Sequence, residues 1–257
     1  MRDTMELVSG VDLHFITSKK FKTNRIKIKF SAPMSMDTIA GRVLAANMLE
    51  TANEIYPTSQ IFRERLANLY GANFSTRLSR RGLIHYVDLD VSFVSDAFLS
   101  CKNTLTGEIL NFLKDSLLKP LANEGAFNQA VFEIEKKNVL NDLKAEIEDH
   151  FYHAHQELNK LFYTEKEMQT SRLATPDLVD KETPESSFAI FQKMLQNDKI
   201  DIFFMGDFNE IEVCEYMKTF GLQPRQLSLQ LHYHQEFSNI LKESLEQKDA
   251  HQSIVEL

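Results

Sequence analysis

The chain has 257 residues, 43% of them hydrophobic and 26% charged, with a formal net charge of −8. That is the composition of a soluble globular protein with room for one sizeable core or two small ones, and the net acidity argues against a nucleic-acid partner. No apolar run approaches a membrane span, and Met1-Arg2-Asp3-Thr4-Met5-Glu6 reads as neither a secretory signal nor a transit peptide.

Short alternating runs over Glu6 to Val8, Val11 to Thr17 and Arg25 to Phe30 predict three strands. The densest basic stretch lies among them, but Arg25, Lys27 and Lys29 alternate with Ile26, Ile28 and Phe30, the pattern of a strand's solvent face rather than a phosphate-binding stripe. Ser35 or Asp37 can cap a helix through Ile39, Val43, Leu44, Met48 and Leu49. Ser59 and Gln60 open a second helix, Ile61 to Tyr70, which Gly71 would end. Between Phe74 and Phe93 a hairpin turns at Arg80-Arg81-Gly82, and its second strand puts Val87, Leu89 and Val91 on one apolar face.

Helical spacing runs from Asp96 until Lys119-Pro120 stops it, and a long amphipathic helix is expected from Phe127 to about Phe162 with a break near His150. Residues 164–184, with Pro176 and Pro184, read as a connecting loop. A helix from Glu185 to Gln196, a buried strand over Ile200 to Gly206, a helix capped by Asn209 and a last strand through Leu227, Leu229 and Leu231 follow. One domain is therefore expected over residues 1–235. Residues 236–257 would be a polar connector leading into an apolar strand at Ser253 to Leu257, the start of a truncated second half. Cys101 and Cys214 sit in helix-like patterns and suit free thiols in a reducing cytoplasm.

The most informative stretch is Asn47-Met48-Leu49-Glu50-Thr51. Spacing of i, i+3 and i+4 brings Asn47, Glu50 and Thr51 onto one helix face. With the strand pair before it, Gly71-Ala72 ahead of a hairpin and the later strand ending Gly206-Asp207, the chain resembles one half of a pitrilysin/insulinase-family (inverzincin) peptidase, over nearly its whole length. Such halves carry H-x-x-E-H on this helix and a distal zinc-binding Glu seven residues after another acid. Here the distal pattern is Glu135 through Asp142, with Asp142 in the third ligand's place. All three ligand positions depart from the family: an Asn amide and a Thr hydroxyl replace imidazoles, and Asp replaces Glu. Zinc is held by imidazole, thiolate or carboxylate, so neither a metal nor any other cofactor is expected, and Glu50 alone would be a weak base.

Other chemistry has little to stand on. Glu146 with His150 and Asp149 with His153 have i, i+4 spacing near His155, and His232 and His234 share a strand face; solvated ion pairs and an exposed strand end explain them, with metal binding as the alternative. G-x-S-x-G and phosphate-cradling glycine runs are absent. The resemblance implies an α+β fold, a mostly antiparallel sheet with helices packed on one face. It further implies a non-catalytic subunit that pairs with a motif-bearing relative or with itself around a peptide substrate. The named branch it suggests is the bacterial one associated with 5-aminopentanol modification of elongation factor P. Two rival readings are a divergent zinc peptidase using His150 and His153, and a scaffold that needs no partner.

Overall fold

Period-two apolar patterning builds the sheet. In the computed structural model, which describes residues 2–100, 105–235, 239–247 and 253–255, strands β1 (Arg2–Val8), β2 (Val11–Thr17) and β3 (Thr23–Pro33) are followed by helices α1 (Ile39–Thr51) and α2 (Ser59–Asn68). The hairpin β4 (Asn73–Arg81) and β5 (Ile84–Val94) comes next, then α3 (Leu105–Leu118) and the two-residue strands β6 (Ala122–Asn123) and β7 (Ala126–Phe127). Helices α4 (Gln129–Glu148), α5 (His150–Phe162), α6 (Lys166–Gln169), α7 (Pro176–Lys181) and α8 (Pro184–Asn197) lead to β8 (Lys199–Gly206) and α9 (Glu210–Lys218). The large sheet has the order β1-β2-β8-β3-β5-β4, antiparallel except for the β2–β8 pair. The expected α+β class is the one observed.

One sheet face is apolar and covered. Leu13, Phe15, Ile26, Ile28, Phe30, Val87, Leu89, Val91, Ile202 and Phe204 are all buried against the helices. The opposite face carries the basic positions of β3, which are not free in solvent: Arg25 pairs with Asp90 at 2.5 Å, Lys27 with Asp88 at 2.9 Å, and Lys29 approaches Asp88 at 3.9 Å. Their charge is thus largely spent on β5, which adds a structural reason to the sequence argument against a polyanion.

Several boundaries differ from expectation, each for a local reason. Neither Ser35 nor Asp37 caps α1 with its side chain; Thr38 is the cap residue and Ser35 contributes its backbone carbonyl to the Ile39 N–H at 3.0 Å. Thr58, rather than Ser59 or Gln60, caps α2 by accepting from Ile61 N, and Tyr70 shares the left-handed exit with Gly71 at φ 56° and 71°. The segment 164–184 is no plain loop. Thr175 and Thr183 cap α7 and α8 with prolines in their first turns, so Pro176 and Pro184 start helices instead of breaking them.

The final strand expected at Leu227 to Leu231 is irregular chain, as are 253–255 of the expected terminal strand; residues 256 and 257 lie outside the described residues. Cys101 and residues 236–238 also lie outside them, whereas Cys214 is buried and free.

Candidate functional site

Helix α1 packs on the apolar face over β4 and β5, at one edge of the sheet. Gly41 lets α8 come close, since a Cβ there would meet Ile190 Cδ1 at 2.3 Å. Arg42, buried on the same helix, anchors it through Asp198 at 2.7 Å and His85 Nδ1 at 3.2 Å. Of the 13 residues of α1, only Asn47, Glu50 and Thr51 escape full burial. The face predicted from i, i+3, i+4 spacing is therefore the one face of the helix that is not packed.

Asn47 and Glu50 line an open cavity of about 660 Å³, together with Thr76, Arg77 and Leu78 of β4, Asp142, Ala145 and Glu146 of α4, and Asp149, Tyr152, Arg172 and Leu173. Asp142, aligned from sequence alone, thus shares a cavity with two of the motif positions. Thr51 is not among the lining residues. Its hydroxyl lies 2.7 Å from Glu135 Oε1, as donor, and 3.0 Å from its own helix's Asn47 carbonyl, and Glu135 Oε2 accepts from Asn138 at 3.1 Å. The first acid of the distal pattern is thereby satisfied within the protein.

Glu50 is also committed. Its Oε2 accepts from the backbone N–H of Thr76 and from the Thr76 hydroxyl, both at 2.7 Å. Charge-assisted bonds of this kind are short and strong, and they hold the carboxylate against β4 rather than against a water in the cavity. On the far wall Arg172 donates to Tyr152 Oη at 3.2 Å and pairs with Glu146 at 2.9 Å, while Ser171 donates to Glu146 at 2.8 Å. Burial raises the Tyr152 phenol above its ordinary range, so it stays a neutral hydrogen-bonding group at physiological pH. Thr76, Tyr152 and Arg172 escaped the sequence reading: nothing in a strand Thr or a loop Arg announces a cavity wall 26 and more residues from the motif.

A zinc ion does not fit these groups. Of the three ligand positions, the two histidine ones present an amide and a hydroxyl, the hydroxyl engaged by Glu135, and only Asp142 offers a competent ligand oxygen. Among the described residues no three His, Cys, Asp or Glu side chains are placed to hold a metal ion. The groups of the proposed histidine pairs are engaged with other partners, Glu146 with Ser171 and Arg172 among them. The α4–α5 break falls at Asp149, whose carboxylate caps α5 by accepting from Phe151 and Tyr152 N–H groups, separating Glu146 from His150. His153 pairs with Glu246 at 2.6 Å, and His232 and His234 lie in irregular chain, not on a strand face.

No family model matches the chain. It is similar to a Bacillus subtilis (strain 168) protein named probable inactive metalloprotease YmfF, 23% identical over 244 residues that make up 95% of this chain and 57% of that one. A crystal structure of a conserved Enterococcus faecalis V583 protein superposes with a TM-score of 0.89 at 31% identity, covering 93% of this chain and 56% of that one. A crystal structure described as a peptidase M16 inactive domain from Pseudomonas fluorescens gives a TM-score of 0.71 at 14% identity, over 90% and 53%. The chain spans about half the length of these relatives. No helix among the described residues is long and apolar enough to cross a membrane.

Proposed function

We propose that this pitrilysin-family half is non-catalytic and acts as the metal-free member of a pair, set against a motif-bearing relative that carries out peptide or protein processing. The observation that carries the reading is the state of the one unpacked face of α1: an amide at 47, a carboxylate at 50 bound to β4, and a hydroxyl at 51 bound to Glu135. Without imidazoles there is no metal to acidify water, and a carboxylate already accepting two hydrogen bonds is a poor general base. What the cavity retains is shape and hydrogen-bonding capacity beside an edge strand, the means by which a chamber wall receives an extended peptide. The Bacillus subtilis relative named probable inactive metalloprotease YmfF supports the non-catalytic part of this reading. The pairing and a role accessory to elongation factor P modification rest on the family resemblance, and a cytoplasmic setting rests on the two cysteines read as free thiols.

Two measurements test it. The purified protein, loaded with zinc and dialysed, should retain far less than one equivalent; the triple variant N47H/T51H/D142E should retain close to one, because the positions are proposed to converge as they do in an active half. Stoichiometric zinc in the unmodified protein, or none in the triple variant, would overturn the assignment of the site. Affinity purification from the native cell should recover an H-x-x-E-H relative in a defined ratio, whereas recovery of the chain alone or only as a self-complex would remove the pairing.

A further inference from the structure

β4 is an edge strand, the last in the order β1-β2-β8-β3-β5-β4. Exposed edges present unpaired N–H and C=O groups that invite another strand, and folded proteins usually guard them. The Thr76 N–H is directed at Glu50, not at Leu89, its opposite residue on β5. In an antiparallel ladder the backbone groups of alternate residues point to opposite sides, so Phe74, Thr76, Leu78 and Arg80 turn theirs outward. Thr76 lies in the middle of that outward row, beside the cavity, and Leu78 lines the cavity with it.

We infer that Glu50, the residue left over from the peptidase motif, now serves as a guard on the β4 edge. Its carboxylate occupies the central outward donor of the strand, so an extended peptide can pair with β4 at this register only by displacing it. The Thr76 hydroxyl reinforces the guard by binding the same oxygen, Oε2, at the same 2.7 Å. The geometry opposes two demands. A general base needs free lone pairs aimed at a water, whereas Glu50 has one oxygen turned into the sheet edge and held there by two donors. A solvated surface acid would show neither bond. This inference rests on the reading that the cavity receives an extended peptide, and it adds that recognition is gated by one side chain.

The test compares the unmodified protein with Glu50→Ala, Glu50→Gln and Thr76→Val in fluorescence anisotropy titrations, with a fluorescein-labelled peptide of about ten alternating Val and Thr residues flanked by lysines as the probe. Releasing a charge-assisted bond should tighten binding by about tenfold or more in Glu50→Ala, the loss of a 1.4 kcal/mol opponent being tenfold in affinity. Glu50→Gln keeps an acceptor oxygen without the charge and should fall between. Thr76→Val removes one of the two bonds without touching α1, and should give a smaller gain even where a substitution in the buried helix fails to fold. Amide exchange at Thr76 should accelerate in Glu50→Ala. Equal affinities across the set, weaker binding in Glu50→Ala, or no binding by any of them would overturn the guard. The zinc and co-purification measurements alter neither Glu50 nor Thr76 and would stand unaffected, so the two readings fail separately.

Discussion

His85 is held neutral by its surroundings. Its Nδ1 accepts from Arg42 Nε at 3.2 Å and its Nε2 therefore donates to the Arg172 carbonyl at 3.0 Å, which fixes one tautomer. Burial first, and then the Arg42 charge, lower its pKa from 6.5 to about 3. A base whose folded pKa lies below its unfolded value leaves the unfolded chain binding more protons between the two, so stability is complete above pH 6.5 and declines as pH falls toward 3. At pH 5 the loss from this group is about 2 kcal/mol. Replacing His85 with Gln keeps an acceptor and a donor but no titration, so the difference between the two proteins' urea midpoints should shift in the variant's favour from pH 7 to pH 5. Parallel pH profiles would show that the imidazole is not kept neutral. The same side chain links α1 to the Arg172 segment, so packing of the motif helix and placement of the far cavity wall share one buried joint.

Four rings join α2, α3 and β4. Phe112 of α3 lies 5.0 Å from Phe62, 5.6 Å from Phe74 and 5.9 Å from Tyr56 by ring centroids, tilted or edge-on to the first two. Phe112→Ala should cost about 3 to 5 kcal/mol, since rigid aromatic neighbours on three sides cannot collapse into the vacated volume. Denaturant midpoints would read this directly, and a loss under about 1 kcal/mol would mean the joint relaxes. Elements with strong periodicity, such as β2, β3 and β8, were legible in the sequence because burial on one face writes the pattern there. Thr175-Pro176 and Thr183-Pro184 were misread because the proline that breaks a helix interior also favours its first turn. Leu227 to Leu231 misled for another reason. Leu227 and Leu229 alternate partial burial with exposed Ser228 and Gln230, but the segment adds no strand to the sheet, whose order runs from β1 to β4 at its two edges. The site divides likewise: the composition of α1 declared the missing imidazoles, whereas Glu50's attachment to Thr76 depends on how α1 settles against β4 and has no local signature.

After α9 the chain runs as a strap along one end of the sheet. Arg225 donates its N–H to Ser9 at 2.8 Å and its guanidinium to the Leu195 carbonyl at 2.8 Å; further on, His234 N–H reaches Glu165 at 3.2 Å and Gln235 reaches the Phe162 carbonyl at 2.8 Å. The strap thus ties the starts of β2 and β8 to the end of α5, the helix that contributes Tyr152 to the cavity. Its tightest crossing is over the β4–β5 turn, where Gly82 sits at φ 52° and a Cβ would lie 2.3 Å from the Leu231 carbonyl oxygen. Gly82→Ala therefore suffers twice: a left-handed backbone that costs an alanine about 1 kcal/mol, and a collision that only displacement of the strap relieves. Gly125→Ala is the matched control, with φ 83° and nothing within 4 Å of the added carbon, so it bears the backbone cost alone. Limited proteolysis should cut residues 225–235 several-fold faster in Gly82→Ala than in Gly125→Ala, with a wider gap in melting temperature than backbone strain explains. Indistinguishable behaviour of the two variants would mean that the strap is not held against the turn, and that the end of α5 is positioned by its own packing.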